Sequence, residues 1–133
     1  MRTKKYPFKP FAWVINLASL IILLSACTQR AGLDELQQIP GSDSEKGEEA
    51  IRAYGCDTCH IIPGVRGATS TVGPPLTDWA RRHYIAGSLP NTPDNLILWI
   101  QNPQEIEPAT AMPNLNVTEE DARNISAYLY TLH

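Results

Sequence analysis

From residue 44 onward, apolar positions recur every three or four places, the period of a helix face, and no stretch shows the two-residue alternation of a strand. Ala50, Ile51 and Tyr54 mark the core side of a first helix expected over residues 44–55, opened by Ser42 with Glu45 three places on as a capping box. A second, short helix is expected over residues 77–86, capped by Thr77 or Asp78 and stopped at Gly87. Thr92-Pro93 combines a capping hydroxyl with proline at the first helical position, and Asn102-Pro103 closes the helix that follows, whose buried face includes Leu96, Trp99 and Ile100. The last helix begins at Thr118, with Asp121 three residues on, and carries Ala122, Ile125, Tyr128, Leu129 and Leu132 at helical spacing. Tyr128 and Leu129 read as core packing rather than chemistry. The fold class is therefore all-α, about four helices joined by long loops.

The N-terminus carries a different pattern. Phe11 to Ala26 form a mostly apolar run of 16 residues behind Arg2, Lys4, Lys5 and Lys9, which is the length and flank of a signal peptide and short for a membrane span. The run closes on Leu24-Ser25-Ala26-Cys27, which resembles the bacterial lipobox, where the cysteine is acylated and becomes the first residue after cleavage. The expected organisation is a lipoprotein signal over 1–26, a lipid-anchored flexible tether over 27–43 and one domain over 44–133. A retained signal anchor, or a stray thiol past an ordinary cleavage site, competes with this reading, and either keeps the domain outside the cytoplasm. The chain is thus expected as a membrane-anchored lipoprotein facing the periplasm or extracytoplasmic space. Its tether is polar, with Gly32, Pro40, Gly41 and Ser42, and a flexible linker of that length reaches roughly 20–25 Å on average and about 60 Å at full extension.

Charge changes once the leader is set aside. Losing its four cations takes the formal net charge from −3 to −7, and Lys46 is the one lysine that remains. An acidic chain without clustered Lys and Arg is a poor nucleic-acid ligand, because phosphate binding needs such clusters. Its partners are expected to be proteins with a basic face, or neighbours reached through the tether.

The chemistry is concentrated in Cys56-Asp57-Thr58-Cys59-His60. Two thiols and an imidazole in C-x-x-C-H order are what covalent attachment of a c-type haem requires: within one helical turn both thiols reach vinyl groups of the same porphyrin, and the following histidine lies under the iron. A redox-active dithiol, half of a zinc site and coincidence compete. Zinc calls for about four ligands, and the third cysteine, Cys27, already has a role as anchor. A thioredoxin-like dithiol calls for a strand before the motif, where this sequence has a helix.

A covalently held haem also needs a sixth ligand. Met112 is the one methionine after the initiator, set 52 residues after His60 in the irregular segment Pro108-Ala109-Thr110-Ala111-Met112-Pro113 between two helices, where a loop can wrap over the distal face. Core filler is the ordinary role of a methionine. His83, beside Arg81 and Arg82, is the rival nitrogen donor, and His133 is terminal.

Together Gly47, Cys56–His60, Gly73-Pro74-Pro75-Leu76, Trp99-Ile100-Gln101-Asn102-Pro103, Met112-Pro113 and Ala127-Tyr128-Leu129 resemble a class I monohaem cytochrome c over nearly all of residues 44–133. The resemblance implies a cytochrome c fold wrapped around one covalent haem c. It implies first and last helices crossing at Gly47, with Tyr128 packed there, and the Pro74 carbonyl holding the proximal imidazole through its other ring nitrogen. It also implies Trp99 beside the haem on the methionine side and Arg81 or Arg82 at a haem propionate. More narrowly, Val72–Thr77, Ala86–Thr92 and Trp99–Gln104 resemble the cytochrome c domain fused to subunit II of some haem-copper oxidases, in which the haem passes electrons to a binuclear copper centre. No cupredoxin-like strands accompany them in this sequence, so the acceptor implied is a separate protein.

With both axial positions filled, the expected role is outer-sphere carriage of single electrons rather than enzymatic turnover, with a haem-copper oxidase as the expected acceptor and a quinol-oxidising complex or another cytochrome as the expected donor. A fixed relay subunit of a respiratory oxidase or dehydrogenase is the alternative. A haem peroxidase or gas sensor would need an open sixth position.

Overall fold

Four α-helices lie wholly within residues 35–133, the part of the chain that a computed structural model describes: α1 Ser44–Ala53, α2 Pro93–Gln101, α3 Pro103–Ile106 and α4 Glu119–Tyr130. The expected signal segment and Cys27 fall outside the described residues. Residues 36–133 form one unit. Its core gathers Ala50 and Ile51 from α1, Leu96, Trp99 and Ile100 from α2, and Ala122, Ile125 and Leu129 from α4, the faces the helical period selects.

The helix starts follow local chemistry. Thr92 accepts from the Asn95 N–H, with Pro93 at the first helical position, and Thr118 accepts from the Asp121 N–H at 3.1 Å. At α1 the cap is Asp43, not Ser42. The Asp43 carboxylate accepts from the Glu45 and Lys46 N–H groups, while the Ser42 hydroxyl donates to the Ile39 carbonyl in the turn just before. An ionised acceptor at a helix N-terminus also meets the positive end of the dipole, which favours aspartate over serine here. Gly55, at φ 71°, ends the helix in the left-handed region that glycine adopts without penalty.

α1 and α4 cross where Gly47 and Asn124 meet. A Cβ on Gly47 would stand 2.7 Å from the Asn124 carbonyl carbon and 3.0 Å from the Tyr128 Cβ, and closer still to the Asn124 oxygen. The crossing is set by backbone touching backbone. Asn124, 5 % exposed, accepts from the Asp43 N–H at 2.9 Å and so ties the start of α1 to the middle of α4. Tyr54 closes the other end, donating to Asp121 Oδ2 at 2.8 Å.

The short helix expected over 77–86 does not form. Trp79–Arg81 make one 3₁₀ turn, and the chain then folds back as β1 Tyr84–Ile85 against β2 Leu89–Pro90, antiparallel, turning through Ala86 and Gly87 at φ 49° and 81°. Trp79 and Ile85 are both buried, yet on a helix they would point about 120° apart at 100° per residue. An irregular path lets both reach the core. The Asn91 side chain supplies part of what a helix would have supplied, donating to the Trp79 and Arg82 carbonyls. After Asn102 a further turn, α3, starts on Pro103, a residue that ends one helix and suits the first position of the next.

The segment expected as a tether over residues 27–43 lies partly among the described residues. Its second half packs on the domain: Ile39 is buried, Gln37 donates to the Ala80 carbonyl at 2.7 Å, and Arg123 donates to the Pro40 carbonyl at 2.7 Å. One apolar side chain in a polar segment is enough to dock it when its neighbours find backbone partners.

Burial raises the pKa of the Tyr130 phenol, whose hydroxyl donates to Asn91 Oδ1 at 3.0 Å. A raised value means stability that is whole below about pH 10, where an unfolded tyrosine ionises, and is lost as pH rises toward the folded value. Denaturant titrations of wild type between pH 9 and 11 are expected to show this loss, and Tyr130→Phe to show less of it.

Candidate haem-binding site

The C-x-x-C-H motif follows α1 as a tight turn, with the Cys59 and His60 N–H groups donating to the Cys56 carbonyl at 3.2 and 3.0 Å. This brings Cys56, Cys59 and His60 onto one wall of a cavity of about 400 Å³, a size in the range of cofactor sites. Ile51, Leu96, Ile125 and Leu129 line it too, so the cavity opens into the middle of the helical core. Burial pushes the Cys56 thiol up to about 11. That wall suits a neutral sulfur, as a thioether is.

His60 is held from behind. Its Nδ1 lies 2.7 Å from the Pro74 carbonyl oxygen, which can only accept, so Nδ1 carries the proton and Nε2 keeps its lone pair. Residues 73–76 are themselves fixed to the motif, Gly73 N–H donating to the Cys59 carbonyl at 2.7 Å and Leu76 N–H to the Ile61 carbonyl at 2.8 Å. Gly73 is needed for this closeness, because a Cβ there would stand 2.5 Å from the imidazole Cε1.

Met112 reaches the same cavity from the segment between α3 and α4. A turn closed by Thr110 N–H on the Glu107 carbonyl precedes it, and its own N–H donates to Thr110 Oγ1 at 3.2 Å. Leu115 and the buried Val117 follow as anchors in the core.

Pro74, Trp99 and Arg82 also line the cavity. Of the two arginines, only Arg82 does; Arg81 points to solvent and pairs with Asp78 at 3.6 Å. Arg82 is fixed by donating to the Thr77 carbonyl at 3.0 Å and to the Pro75 carbonyl. His83 and His133 are exposed and do not line the cavity. Trp79, which the apolar period gave no reason to single out, is buried against the cavity wall with its indole nitrogen unpartnered. Among the described residues no group of three His, Cys, Asp or Glu side chains is placed to hold a bare metal ion.

The cytochrome c family model matches residues 44–133, the span that holds every cavity residue named above. The chain belongs to the cytochrome c family. Its cofactor is haem c, bound covalently, and the residues fit it: two thiols, an imidazole whose Nε2 is not engaged by Pro74, and a thioether line one cavity, with an apolar interior that a porphyrin would complete. This cytochrome is 31% identical over 99 residues to a cytochrome c oxidase subunit 2 of Alkalihalophilus pseudofirmus, covering 74% of the chain and 28% of that protein. It is 32% identical over 91 residues to a cytochrome c oxidase subunit 2 of Bacillus sp. (strain PS3), covering 65% of the chain and 26% of that protein. The chain thus spans about a quarter of the length of these relatives. An electron-transfer cytochrome related to the oxidase subunits is what the match and the site establish together.

Proposed function

We propose that this cytochrome is a membrane-tethered carrier that moves single electrons by outer-sphere transfer, with Cys56 and Cys59 holding the haem and His60 and Met112 filling both axial positions. The observation that carries this is the convergence of those four side chains on one apolar cavity, with the His60 Nδ1 proton already committed to Pro74. Bound haem supplies the one-electron couple. The chain does the rest: the Pro74 carbonyl orients the imidazole and strengthens its donation, Met112 closes the position that oxygen or peroxide would need, and the apolar wall disfavours the extra charge of the oxidised state. Arg82 would meet a propionate, and Trp99, which lines the same cavity as Met112, would stand beside the haem. No substrate-turnover role is proposed for a site closed in this way.

The chain is proposed to be exported and held by a lipid on Cys27, facing the periplasm or extracytoplasmic space. Among the described residues no helix is long and apolar enough to cross a membrane, so attachment would rest on the N-terminal segment. Between Cys27 and Gln37, the first residue bonded to the domain, nine positions span at most about 32 Å. That length limits the carrier to partners on the same membrane. The acceptor proposed is a haem-copper oxidase, supported by the likeness to oxidase subunits, and the donor a quinol-oxidising complex or another cytochrome. The same likeness favours a second reading, a fixed relay subunit of the oxidase.

Mild-detergent extraction followed by size separation tests this. A carrier runs apart from the oxidase, and its reduced form is oxidised by added oxidase at a rate that rises with oxidase concentration. Migration with the oxidase at constant ratio, or no oxidation by it, contradicts the mobile role.

A further inference from the structure

Both ends of the domain meet on Ala80. Its N–H donates to the Leu132 carbonyl at 3.0 Å, just past α4, and its carbonyl accepts from the Gln37 side chain at 2.7 Å. Trp79 before it and Arg82 two places on both line the cavity. One wall of the cavity is therefore tied directly to the segment that leads back toward Cys27.

That wall needs support from outside. A 3₁₀ turn has poorer hydrogen-bond geometry than an α-helix, and Trp79–Arg81 is a single turn of it. It opens on Asp78 at φ 50°, a left-handed backbone that a residue other than glycine keeps only where its surroundings fix it. Asn91 holds the turn from one side, through the Trp79 and Arg82 carbonyls. Residues 37–43 hold it from another. Ile39 is 8 % exposed, within the core cluster that includes Trp79, and the Ser42 N–H and hydroxyl both donate to its carbonyl. Arg123 donates to the Pro40 carbonyl at 2.7 Å, and the Asp43 N–H to the buried Asn124 at 2.9 Å.

We propose that residues 37–43 are a strap that couples the N-terminal end of the domain to the haem pocket, with Gln37 and Ile39 as positioning residues for the wall at Trp79 and Arg82. Docked, the strap keeps that wall closed and dry. Undocked, it frees the Ala80 carbonyl and lets water reach the cavity beside Arg82. Water stabilises the more highly charged ferric state, so docking raises the reduction potential. The coupling is reciprocal: the factor by which docking favours ferrous iron is the factor by which reduction favours docking. Tension on the tether that lifts the strap thereby makes the haem a stronger electron donor. The inference rests on the haem reading given above and adds to it a control of the potential from outside the cavity.

Two measurements on the full-length holoprotein test this. Hydrogen–deuterium exchange read by mass spectrometry is expected to show residues 36–43 exchanging about 5-fold more slowly in ferrous than in ferric wild type, the low end of the range for coupled sites. In Gln37→Ala/Ile39→Ser the same residues are expected to exchange freely in both states, and potentiometry to show the ferrous-to-ferric ratio at fixed applied potential reduced by the same factor. Gln38→Ala, exposed on the same segment, is expected to match wild type in both. A wild-type strap that exchanges alike in the two redox states overturns the proposal. So does a double variant with a freed strap and an unchanged potential, or one whose strap stays protected. Loss of the methionine absorption signature in the double variant would place the effect at the ligand and overturn it too. Should the double variant not mature, the wild-type exchange comparison decides alone. Wild-type protein without covalent haem would instead sink the haem reading beneath it.

Discussion

Replacing Gly47 with alanine is expected to destabilise the domain by at least about 3 kcal/mol and to lower its melting temperature by about 12 °C or more. Two effects oppose each other. Alanine favours an exposed helix interior over glycine by about 1 kcal/mol. Against that, the new Cβ would press on the Asn124 backbone and stand 3.0 Å from the Tyr128 Cβ, so neither neighbour has a flexible end to swing away. α1 and α4 must separate, and with them go the Asp43–Asn124 and Tyr54–Asp121 bonds that register the pair. The packing loss, about 4 kcal/mol before that gain is subtracted, wins. Glu49→Ala, exposed on the same helix, is the control and is expected to lie within about 0.5 kcal/mol of wild type. Thermal melts of the three holoproteins check both numbers. A Gly47→Ala protein as stable as wild type would mean the helices do not cross as described.

Replacing Met112 with alanine is expected to leave the protein folded and still coloured, while abolishing the weak ferric absorption band at the red end of the visible spectrum. The potential is expected to drop by about 0.1–0.3 V, a fraction of the roughly 0.8 V that axial ligands command. Met112 is half-buried in an irregular segment whose main anchors, Leu115 and Val117, lie beyond it. Truncation therefore removes the proposed ligand without removing the fold. A soft thioether favours ferrous iron, and water or an added imidazole in its place does not. Visible spectroscopy with added imidazole or cyanide reads the opened position directly: fast binding in the variant and slow or no binding in wild type. Retention of the band in Met112→Ala would point to another sixth ligand. His83 is exposed and away from the cavity, which makes it a poor substitute.

Much of this architecture is written in short-range chemistry. The starts of α2 and α4 follow from Thr92-Pro93 and Thr118, because capping needs only a hydroxyl within three residues of the N–H it accepts from. The C-x-x-C-H turn and Met112 stand out in the sequence for a related reason. Their element types and spacing are restricted by what a porphyrin and an iron require, and the cavity brings them together. The choice between Arg81 and Arg82 was not legible, since neighbours in sequence differ only in which way the backbone turns after Trp79.

What stayed hidden depends on contacts between distant residues. The stretch from Thr77 to Ala86 has capping residues and a terminal glycine, yet Asn91 and the need to bury both Trp79 and Ile85 override local propensity. Ile39 docks a segment whose composition reads as linker. Asp43 outcompetes Ser42 as the cap because Ser42 is taken up by the preceding turn. Gly87, read as a helix stop, proves to be the turn between two strands, a role that shares the same left-handed backbone.

The attachment of haem to this chain is open to one direct measurement: peroxidase staining for haem after a denaturing, reducing gel, run on membrane fractions from a host able to mature such proteins, with Cys56→Ser/Cys59→Ser alongside. A stained band at the size of the chain in wild type, absent from the double variant, is the expected result. A wild-type band that takes no stain, or a porphyrin that washes out of the denatured protein, would contradict it.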